Sequence, residues 1–196
     1  MTEIFDGIGA DADALARLHR RLERDAQDAG VLDVAYRTLD TAIGRLLLAS
    51  TPVGLVRVAF LDGGDEDVLG SLAQRISPRI LHAPARLDAA ATEVEEYLAG
   101  TRTEFDLPLD LRLADGFRRQ VIEHLRDIGY GQRQSYAAVA AAVGNPKAVR
   151  AVGSACARNP LPLVIPCHRV VRTDGSIGQY AGGMVAKATL LELEAS

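Results

Sequence analysis

The chain has 196 residues, of which 48% are hydrophobic and 24% are charged, a balance that suits a globular protein of one large or two small domains. No apolar run approaches the roughly 18 to 20 residues that a membrane span needs, and the N-terminus lacks a signal-peptide pattern, so we expect a cytoplasmic protein without a membrane partner. Its two cysteines, Cys156 and Cys167, are too few for a disulfide framework and form no Cys-x-x-Cys zinc pattern.

Charge is divided unevenly along the chain. Residues 1–113 carry 12 Lys/Arg against 20 Asp/Glu, a net charge of −8, whereas residues 114–196 carry 10 against 6, a net charge of +4. A basic half can bind phosphate groups while an acidic half faces away from them. The alternative is that such a division arises by chance.

The N-terminal half has the pattern of a small α+β domain preceded by a helix. Leu15, Leu18 and Leu22 recur at helical spacing ahead of Gly30, which predicts an amphipathic helix over 11–29. Further along, the patterns predict a hairpin of strands 45–50 and 55–61, helices 65–76 and 88–98, and a strand 105–113. His82 stands alone, and we interpret it as structural. No set of side chains in this half indicates a reaction.

The C-terminal half predicts a helix-turn-helix. A helix over 117–127 ends at Gly129, and Ser135 is a good N-cap for a short helix over 136–143. Asn145-Pro146 has the pattern of an N-cap followed by proline at the first helical position, so a second helix is predicted over 146–157. In such a motif the second helix usually enters a DNA groove.

The second predicted helix carries little side-chain bulk. Its small residues are Ala148, Ala151, Gly153, Ser154, Ala155 and Ala157. A reader of the major groove usually carries Asn, Gln or several Arg side chains, whereas this helix offers Arg150 among small neighbours. Nearly bare helix faces favour an approach through the narrower minor groove. The alternative is that the small residues only allow close packing between helices.

The apolar run over 161–171 surrounds one thiol and one imidazole. Because the thiolate is the nucleophile and a free cysteine has a pKa near 8.5, a reactive Cys167 needs a nearby base or positive charge. His168 and Arg169 are candidates, and His168 would reach its neighbour's thiol through a water and would need an orienting acid. The alternative is an inert buried thiol.

At this point the sequence closely resembles the O6-alkylguanine-DNA alkyltransferases, also called methylated-DNA-protein-cysteine methyltransferases. The resemblance is carried by Pro166-Cys167-His168-Arg169-Val170 and extends from 116 to 194 without a visible gap. It includes Ser135-Tyr136, the segments 145–153 and 175–183, and Asn159-Pro160. Over 34–113 the similarity is one of pattern only.

The resemblance implies a fold class and three segments. The fold is α+β, with a small N-terminal α/β domain of RNase H-like type and a mostly helical C-terminal domain whose helix-turn-helix is of winged-helix type. The segments are an N-terminal helical extension (1–33), the α/β domain (34–113) and a domain for DNA binding and alkyl transfer (114–196).

The resemblance also implies a reaction in which the protein is used once. Cys167 takes a methyl or larger alkyl group from O6-alkylguanine, and also from O4-alkylthymine, in duplex DNA. His168 removes the thiol proton through water, Glu194 orients His168 and Asn159 stabilises the active-site turn. Tyr136 protonates the leaving guanine and presses on a phosphate, while Arg150 fills the gap left by the flipped base. The DNA contacts implied are Arg150, Tyr136, Ala151, Gly153 and Ser135.

The implied guanine pocket bears on substrate range. Its residues are Val170, Tyr180, Cys156, Pro162, Ala181 and Gly182. We interpret Cys156 as a small apolar filler rather than a second nucleophile. Pro162 and Gly182 match relatives with roomy pockets, and Ala181 replaces a serine hydroxyl that some relatives direct at the base, so groups larger than methyl are expected to fit.

The implied reaction needs no cofactor, because the damaged DNA supplies the group and the thiol keeps it. Some relatives hold a structural zinc through N-terminal Cys and His, but no cysteine precedes Cys156, so we predict no metal. The expected partner is duplex DNA with alkylated guanine. We expect a monomer, and leave cooperative binding along DNA open.

Three other functions stay open at this stage. Alkyltransferase-like sensors bind lesions without repairing them but lack the cysteine. Some alkyltransferases are fused to a cysteine-rich sensor domain that regulates transcription, and no such domain precedes residue 114 here. A cysteine hydrolase or redox enzyme would need an oxyanion hole or a resolving thiol.

Overall fold

The computed structural model describes residues 8–195, with the side chains of 8–12 and of residue 27 excepted. The chain begins with helix α1 (Ile8–Asp28), which agrees with the predicted helix, and Gly30 follows it with a φ of +64°. Leu15, Leu18 and Leu22 remain 65%, 61% and 52% exposed, so their shared face is not buried against the rest of the protein. Among the described residues, no helix is both long and apolar enough to cross a membrane.

A four-stranded sheet forms the centre of the N-terminal domain. Its strands are β1 (Val34–Thr41), β2 (Gly44–Ser50), β3 (Leu55–Phe60) and β4 (Ile80–His82), in the order β3-β2-β1-β4. Neighbouring strands are antiparallel except β1 and β4, which are parallel. The predicted hairpin is therefore present, and β1 and β4 were missed. β4 has three residues, and four of the last five residues of β1 are polar, so neither shows the regular alternation of a strand.

Helices cover both faces of this sheet. Leu46 and Leu48 of β2 pack on one side and Leu47 and Ala49 on the other, and all four are fully buried. A central strand covered on both faces is apolar throughout, and each buried leucine stabilises the fold by about 2 kcal/mol. The covering helices are α2 (Glu66–Arg75) and α3 (Asp88–Leu98).

The predicted strand over 105–113 is wrong. The segment makes only an isolated parallel bridge between Leu109 and Leu55, held by hydrogen bonds from Leu55 N to Pro108 O and from Asp110 N to Leu55 O, each 2.8 Å. Pro108 has no N–H to extend a ladder, which explains why the alternating pattern does not become a strand.

The C-terminal domain is mostly helical. Its elements are α4 (Gly116–Leu125), β5 (Gln134–Ser135), α5 (Tyr136–Ala142), α6 (Val149–Ala157), β6 (Val170–Val171) and α7 (Gly183–Leu193). The short strands β5 and β6 pair in parallel, which places the start of α5 beside the segment that follows Cys167. One continuous core joins residues of both domains.

The helix-turn-helix forms with one correction. Ser135 caps α5 as predicted, since its Oγ accepts a hydrogen bond from Ala138 N at 3.0 Å. The second helix, however, begins at Val149 rather than at Pro146. Asn145 O accepts a hydrogen bond from Ala148 N at 2.9 Å, so residues 145–148 close a separate turn and Ala148 takes the N-cap position.

Candidate active site and DNA-binding helices

Cys167 lies in a tight turn held from behind by Asn159. The thiol residue begins a short 3-10 helix, Cys167–Arg169, and is only 2% exposed. The Asn159 side chain donates from Nδ2 to Ile165 O at 2.8 Å and accepts from Leu161 N at Oδ1 at 3.0 Å. Asn159 therefore fixes both ends of the segment that leads to the cysteine.

His168 is fully buried and has one ring nitrogen in use. Its Nε2 lies 2.7 Å from Glu194 Oε1, whereas Nδ1 has no partner among the described residues. Burial lowers the pKa of His168 below its ordinary value of 6.5, although the hydrogen bond with Glu194 opposes this effect. The imidazole is thus neutral at neutral pH, with one nitrogen bound to a carboxylate and the other free to accept a proton.

Glu194 connects three parts of the chain. Besides His168, its carboxylate accepts hydrogen bonds from Arg169 Nε at 2.9 Å, from Gly131 N at 3.0 Å and from the Tyr97 hydroxyl. Burial alone would raise the pKa of Glu194, but the hydrogen bonds from His168 and Arg169 lower it to about 2. The carboxylate therefore stays charged and fixes the histidine in one orientation.

The structure assigns Arg169 a different position from the one expected. Its guanidinium binds Glu194 and the carbonyl of Ile128, so it holds the carboxylate rather than facing the thiol. Burial raises the pKa of the Cys167 thiol to about 11, partly offset by a hydrogen bond with Asn159 and by the charge of Lys187. In the free protein the thiol therefore keeps its proton, and reaction needs a base.

Lys187 is the nearby positive charge, and sequence reasoning missed it. This fully buried lysine of α7 donates from Nζ to Val170 O at 2.6 Å and lies 5.9 Å from the centre of the Tyr136 ring. Burial lowers its pKa below 10.5, although the two cysteines oppose this. The available signal was a lysine set among Ala and Leu in a helix, where a buried amine is unusual.

Tyr97 was also missed, and no local pattern could have revealed it. It is a buried residue of α3 in the N-terminal domain, yet its hydroxyl reaches Glu194 and lies 3.4 Å from His168 Nε2. Only the packing of the two domains brings these residues together. Burial, followed by the Glu194 hydrogen bond, raises the pKa of Tyr97, so its hydroxyl remains a donor.

Two further tyrosines lie next to this site. Tyr136 begins α5, half-buried, and a Cβ on Gly178 would lie only 2.5 Å from its hydroxyl oxygen, so that glycine allows the close approach. Burial, then the two cysteines, raise the pKa of Tyr136. The ring centre of Tyr180 lies 6.0 Å from that of His168, and its buried hydroxyl has no partner among the described residues.

Of the remaining predicted pocket residues, two lie in the core of the C-terminal domain and three lie where the two domains meet. Val170 is fully buried, and Cys156 is 6% exposed on the inner face of α6, where burial and then Cys167 raise its pKa. Gly182 instead meets the N-terminal domain, because a Cβ there would lie 2.4 Å from Phe60. Its lack of a side chain thus makes room for Phe60. Pro162 and Ala181 line a separate cavity between the domains.

The helix α6 presents its small residues outward. Val152, Ala155 and Cys156 face the core, whereas Arg150 and Ala151 are exposed together with Ser154 and Ala157, and Gly153 is half-buried. Ser135 and Tyr136 lie at the adjoining end of α5. The structure therefore brings all of the predicted DNA contacts onto one helix pair, with one long cationic side chain among them.

Comparison with known proteins gives a consistent picture. Residues 34–111 match the model of the 6-O-methylguanine DNA methyltransferase ribonuclease-like domain, and residues 116–196 match that of the DNA-binding domain. The chain is 38% identical to a methylated-DNA--protein-cysteine methyltransferase of Mycobacterium bovis, over 83% of this chain and 93% of that protein. It is 44% identical to the bifunctional transcriptional activator/DNA repair enzyme Ada of Escherichia coli, but spans only 46% of that protein.

Solved structures support the same assignment. An O6-methylguanine methyltransferase of Mycobacterium tuberculosis superposes with a TM-score of 0.73 at 37% identity, covering 83% of this chain and 93% of that one. A complex of the M. tuberculosis protein with DNA gives a TM-score of 0.72 at 36% identity, covering 82% and 92%.

Proposed function

The chain belongs to the 6-O-methylguanine DNA methyltransferase family, and we propose that it repairs DNA by moving the alkyl group of O6-alkylguanine irreversibly onto Cys167. The observation that carries this proposal is the buried pair of His168 and Glu194 beside the thiol. A neutral imidazole whose Nδ1 has no partner among the described residues is the base that a protonated thiol requires.

The proposed reaction is a displacement at carbon. A water passes the thiol proton to His168 Nδ1 while Cys167 Sγ forms a bond to the alkyl carbon and the bond from that carbon to guanine O6 breaks. Glu194 stabilises the resulting imidazolium. The Tyr136 phenol, which its raised pKa keeps protonated, donates its proton to the departing guanine, and the proton on His168 then passes through water to the Tyr136 phenolate. The base leaves neutral and the thioether is permanent.

The damaged base must leave the DNA stack to reach a thiol that is 2% exposed. We place α6 in the minor groove, where its exposed small residues allow close approach, with Arg150 entering the duplex in place of the flipped nucleotide. Tyr136 at the start of α5 presses on the neighbouring phosphate. Val170 and Tyr180 hold the base, and the Val170 backbone is itself held by Lys187.

We expect the pocket to accept groups larger than methyl. This range is proposed from the resemblance to relatives with roomy pockets, because Pro162 and Ala181 line the cavity between the domains and Gly182 meets Phe60. A free O6-benzylguanine is then expected to label Cys167. Failure to label it, under conditions where methylated duplex does, would contradict this substrate range.

The partner proposed is duplex DNA with an alkylated guanine, bound by a single copy of the protein in the cytoplasm. Size measurement of the protein, free and on a short duplex, tests the stoichiometry. Cell fractionation tests the location.

A labelled methyl group tests the reaction itself. The protein is incubated with a duplex carrying one O6-methylguanine with a radioactive methyl, together with the Cys167→Ala and Cys156→Ala variants. We expect one methyl per molecule for the native protein and for Cys156→Ala, and none for Cys167→Ala, which still binds the duplex. Turnover beyond one equivalent, or label on Cys167→Ala, would show that the proposed reaction is wrong.

A further inference from the structure

A cavity of about 320 Å³ between the two domains is lined by four arginines. Arg57 comes from β3 and Arg75 from α2 in the N-terminal domain. Arg118 comes from α4, and Arg158 directly follows α6. We call this space the arginine cavity. No Asp or Glu in the described part of the chain lines it, and the alkyl-transfer reaction gives these side chains no role.

The arginines are poorly neutralised by the protein. Among the described residues, the Arg57 side chain makes no hydrogen bond or ion pair, and the buried Nε of Arg118 has no partner. Arg75 and Arg158 donate only to backbone carbonyls, those of Leu113 and Ser154.

Two carboxylates lie in the neighbourhood. Asp115 lies 3.0 Å from Arg118 but is itself 88% exposed at its side chain. Asp67 lines an adjoining space with Arg57 and Arg75 without coming within ion-pair distance of either. Only one of the four guanidinium groups, that of Arg118, therefore has a carboxylate partner among the described residues.

Arg75 and Arg158 are exposed to solvent, whereas Arg57 and Arg118 are half-buried, so an anion in the cavity would reduce the repulsion mainly at Arg57 and Arg118. Burial and the nearby Arg75 lower the pKa of Arg57, the expected effect of a cation held among other cations with little water. Each guanidinium offers a planar fork of donors that matches the oxygens of phosphate. A cavity of this volume holds a phosphate group with room to spare.

We propose that the arginine cavity binds a phosphate-type oxyanion, which joins the N-terminal domain to the end of α6. Two sources share this chemistry: a free phosphate, or a backbone phosphate of bound DNA. The position of the cavity favours the second source, because its wall includes residues 157–159 at the end of α6. The free-anion form does not depend on the proposed repair function.

The first measurement is thermal unfolding in inorganic phosphate against chloride at equal ionic strength. With a dissociation constant of about 1 mM, phosphate at about 10 mM is expected to raise Tm by roughly 3 °C. Arg57→Gln and Arg75→Gln abolish that rise, while the exposed control Arg20→Gln on α1 retains it. In chloride alone, Arg57→Gln leaves Tm unchanged or higher because like charges are removed, whereas a purely structural arginine would lower it.

The second measurement is the salt dependence of binding to an undamaged duplex, which involves no transfer to Cys167. If a DNA phosphate occupies the cavity, the double variant Arg57→Gln/Arg75→Gln reduces the slope of log K against log salt by about 1, and Arg20→Gln does not. A phosphate-dependent Tm rise with an unchanged slope identifies a free anion. A reduced slope identifies the DNA backbone. No Tm rise together with an unchanged slope would overturn the proposal, whatever the outcome for repair.

Discussion

The surroundings of Cys167 and the outer face of α6 differ in burial and in how far apart their functional residues lie in the sequence. Around Cys167 the polar groups are buried and come from distant parts of the chain: Tyr97 from the N-terminal domain and Glu194 from the end of α7. On α6 the exposed residues belong to one short helix and are small, with Arg150 as the exception. The reaction therefore depends on how the domains pack, whereas the approach to DNA depends on a short local stretch. Substitutions around Cys167 are therefore expected to change stability and the rate of transfer, whereas substitutions on α6 are expected to change the handling of duplex DNA.

The largest effect on the buried side is expected for Glu194→Gln. This change leaves Arg169 without its counter-charge and His168 without a fixed orientation, so we expect a loss of about 3 kcal/mol in unfolding free energy and a repair rate lower by at least about 100-fold. Urea unfolding and single-turnover repair kinetics measure both. The control Glu95→Gln, an exposed glutamate of α3, is expected to change stability by less than about 0.5 kcal/mol. A Glu194→Gln protein that repairs at the native rate would remove this residue from the mechanism.

On the exposed side, Arg150→Ala tests whether duplex DNA and free base are handled differently. Without a side chain to fill the stack, repair of O6-methylguanine in duplex DNA should slow by roughly 10- to 100-fold, the equivalent of a few kcal/mol of unstacking. Reaction with free O6-benzylguanine should be unchanged, and so should unfolding. Lys147→Ala, which removes an exposed charge just before α6, provides the control for simple loss of phosphate attraction. Equal losses on the two substrates would contradict the role of Arg150.

A pH profile tests the state of the thiol. If neutral His168 takes the proton of an un-ionised Cys167, the rate is level from about pH 7 towards the thiol pKa of about 11 and falls with acid only below pH 6.5, since burial lowers the histidine pKa. Reaction through a pre-ionised thiolate would instead raise the rate about tenfold for each pH unit across that range. Stopped assays with free O6-benzylguanine avoid changes in DNA binding.

The smallest effect is expected for Tyr97→Phe, the contact between domains. Loss of its hydroxyl removes one hydrogen bond to Glu194, which should cost about 1 kcal/mol in stability and slow repair by several-fold. The matched control is Tyr130→Phe, whose hydroxyl donates to Leu193 O at 3.2 Å rather than to the carboxylate. If both variants repair at the same rate, Tyr97 is only a packing residue.

The same division explains what the sequence could predict. The helix pair and the capping by Ser135 follow from local patterns, and the α+β fold was correctly predicted once the resemblance was recognised. The start of the second helix was predicted at Pro146 instead of Val149, because an Asn-Pro pair is typical both of a helix cap and of a separate turn. The strand predicted over 105–113 was wrong because the alternating pattern does not show that Pro108 lacks the N–H group needed to extend a ladder.

Within the site, long-range contacts were the ones missed. Arg169 was considered as a positive charge for the thiol, yet it binds Glu194, and Lys187 lies near the thiol instead. The directions of the Arg169 and Lys187 side chains do not follow from their spacing in the sequence, because each depends on which helices pack against the turn that holds Cys167. Gly182 was interpreted as a sign of a roomy pocket, whereas in the structure a side chain at this position would collide with Phe60.

Peptide mass after reaction tests the central claim most directly. Trypsin separates the two thiols, with Cys156 in the peptide 151–158 and Cys167 in the peptide 159–169. After incubation with duplex carrying a single O6-methylguanine, the account predicts a methyl-sized gain on 159–169 alone, rising to one equivalent and no further. A gain on 151–158, or an unmodified 159–169 peptide after the lesion has been repaired, would contradict it.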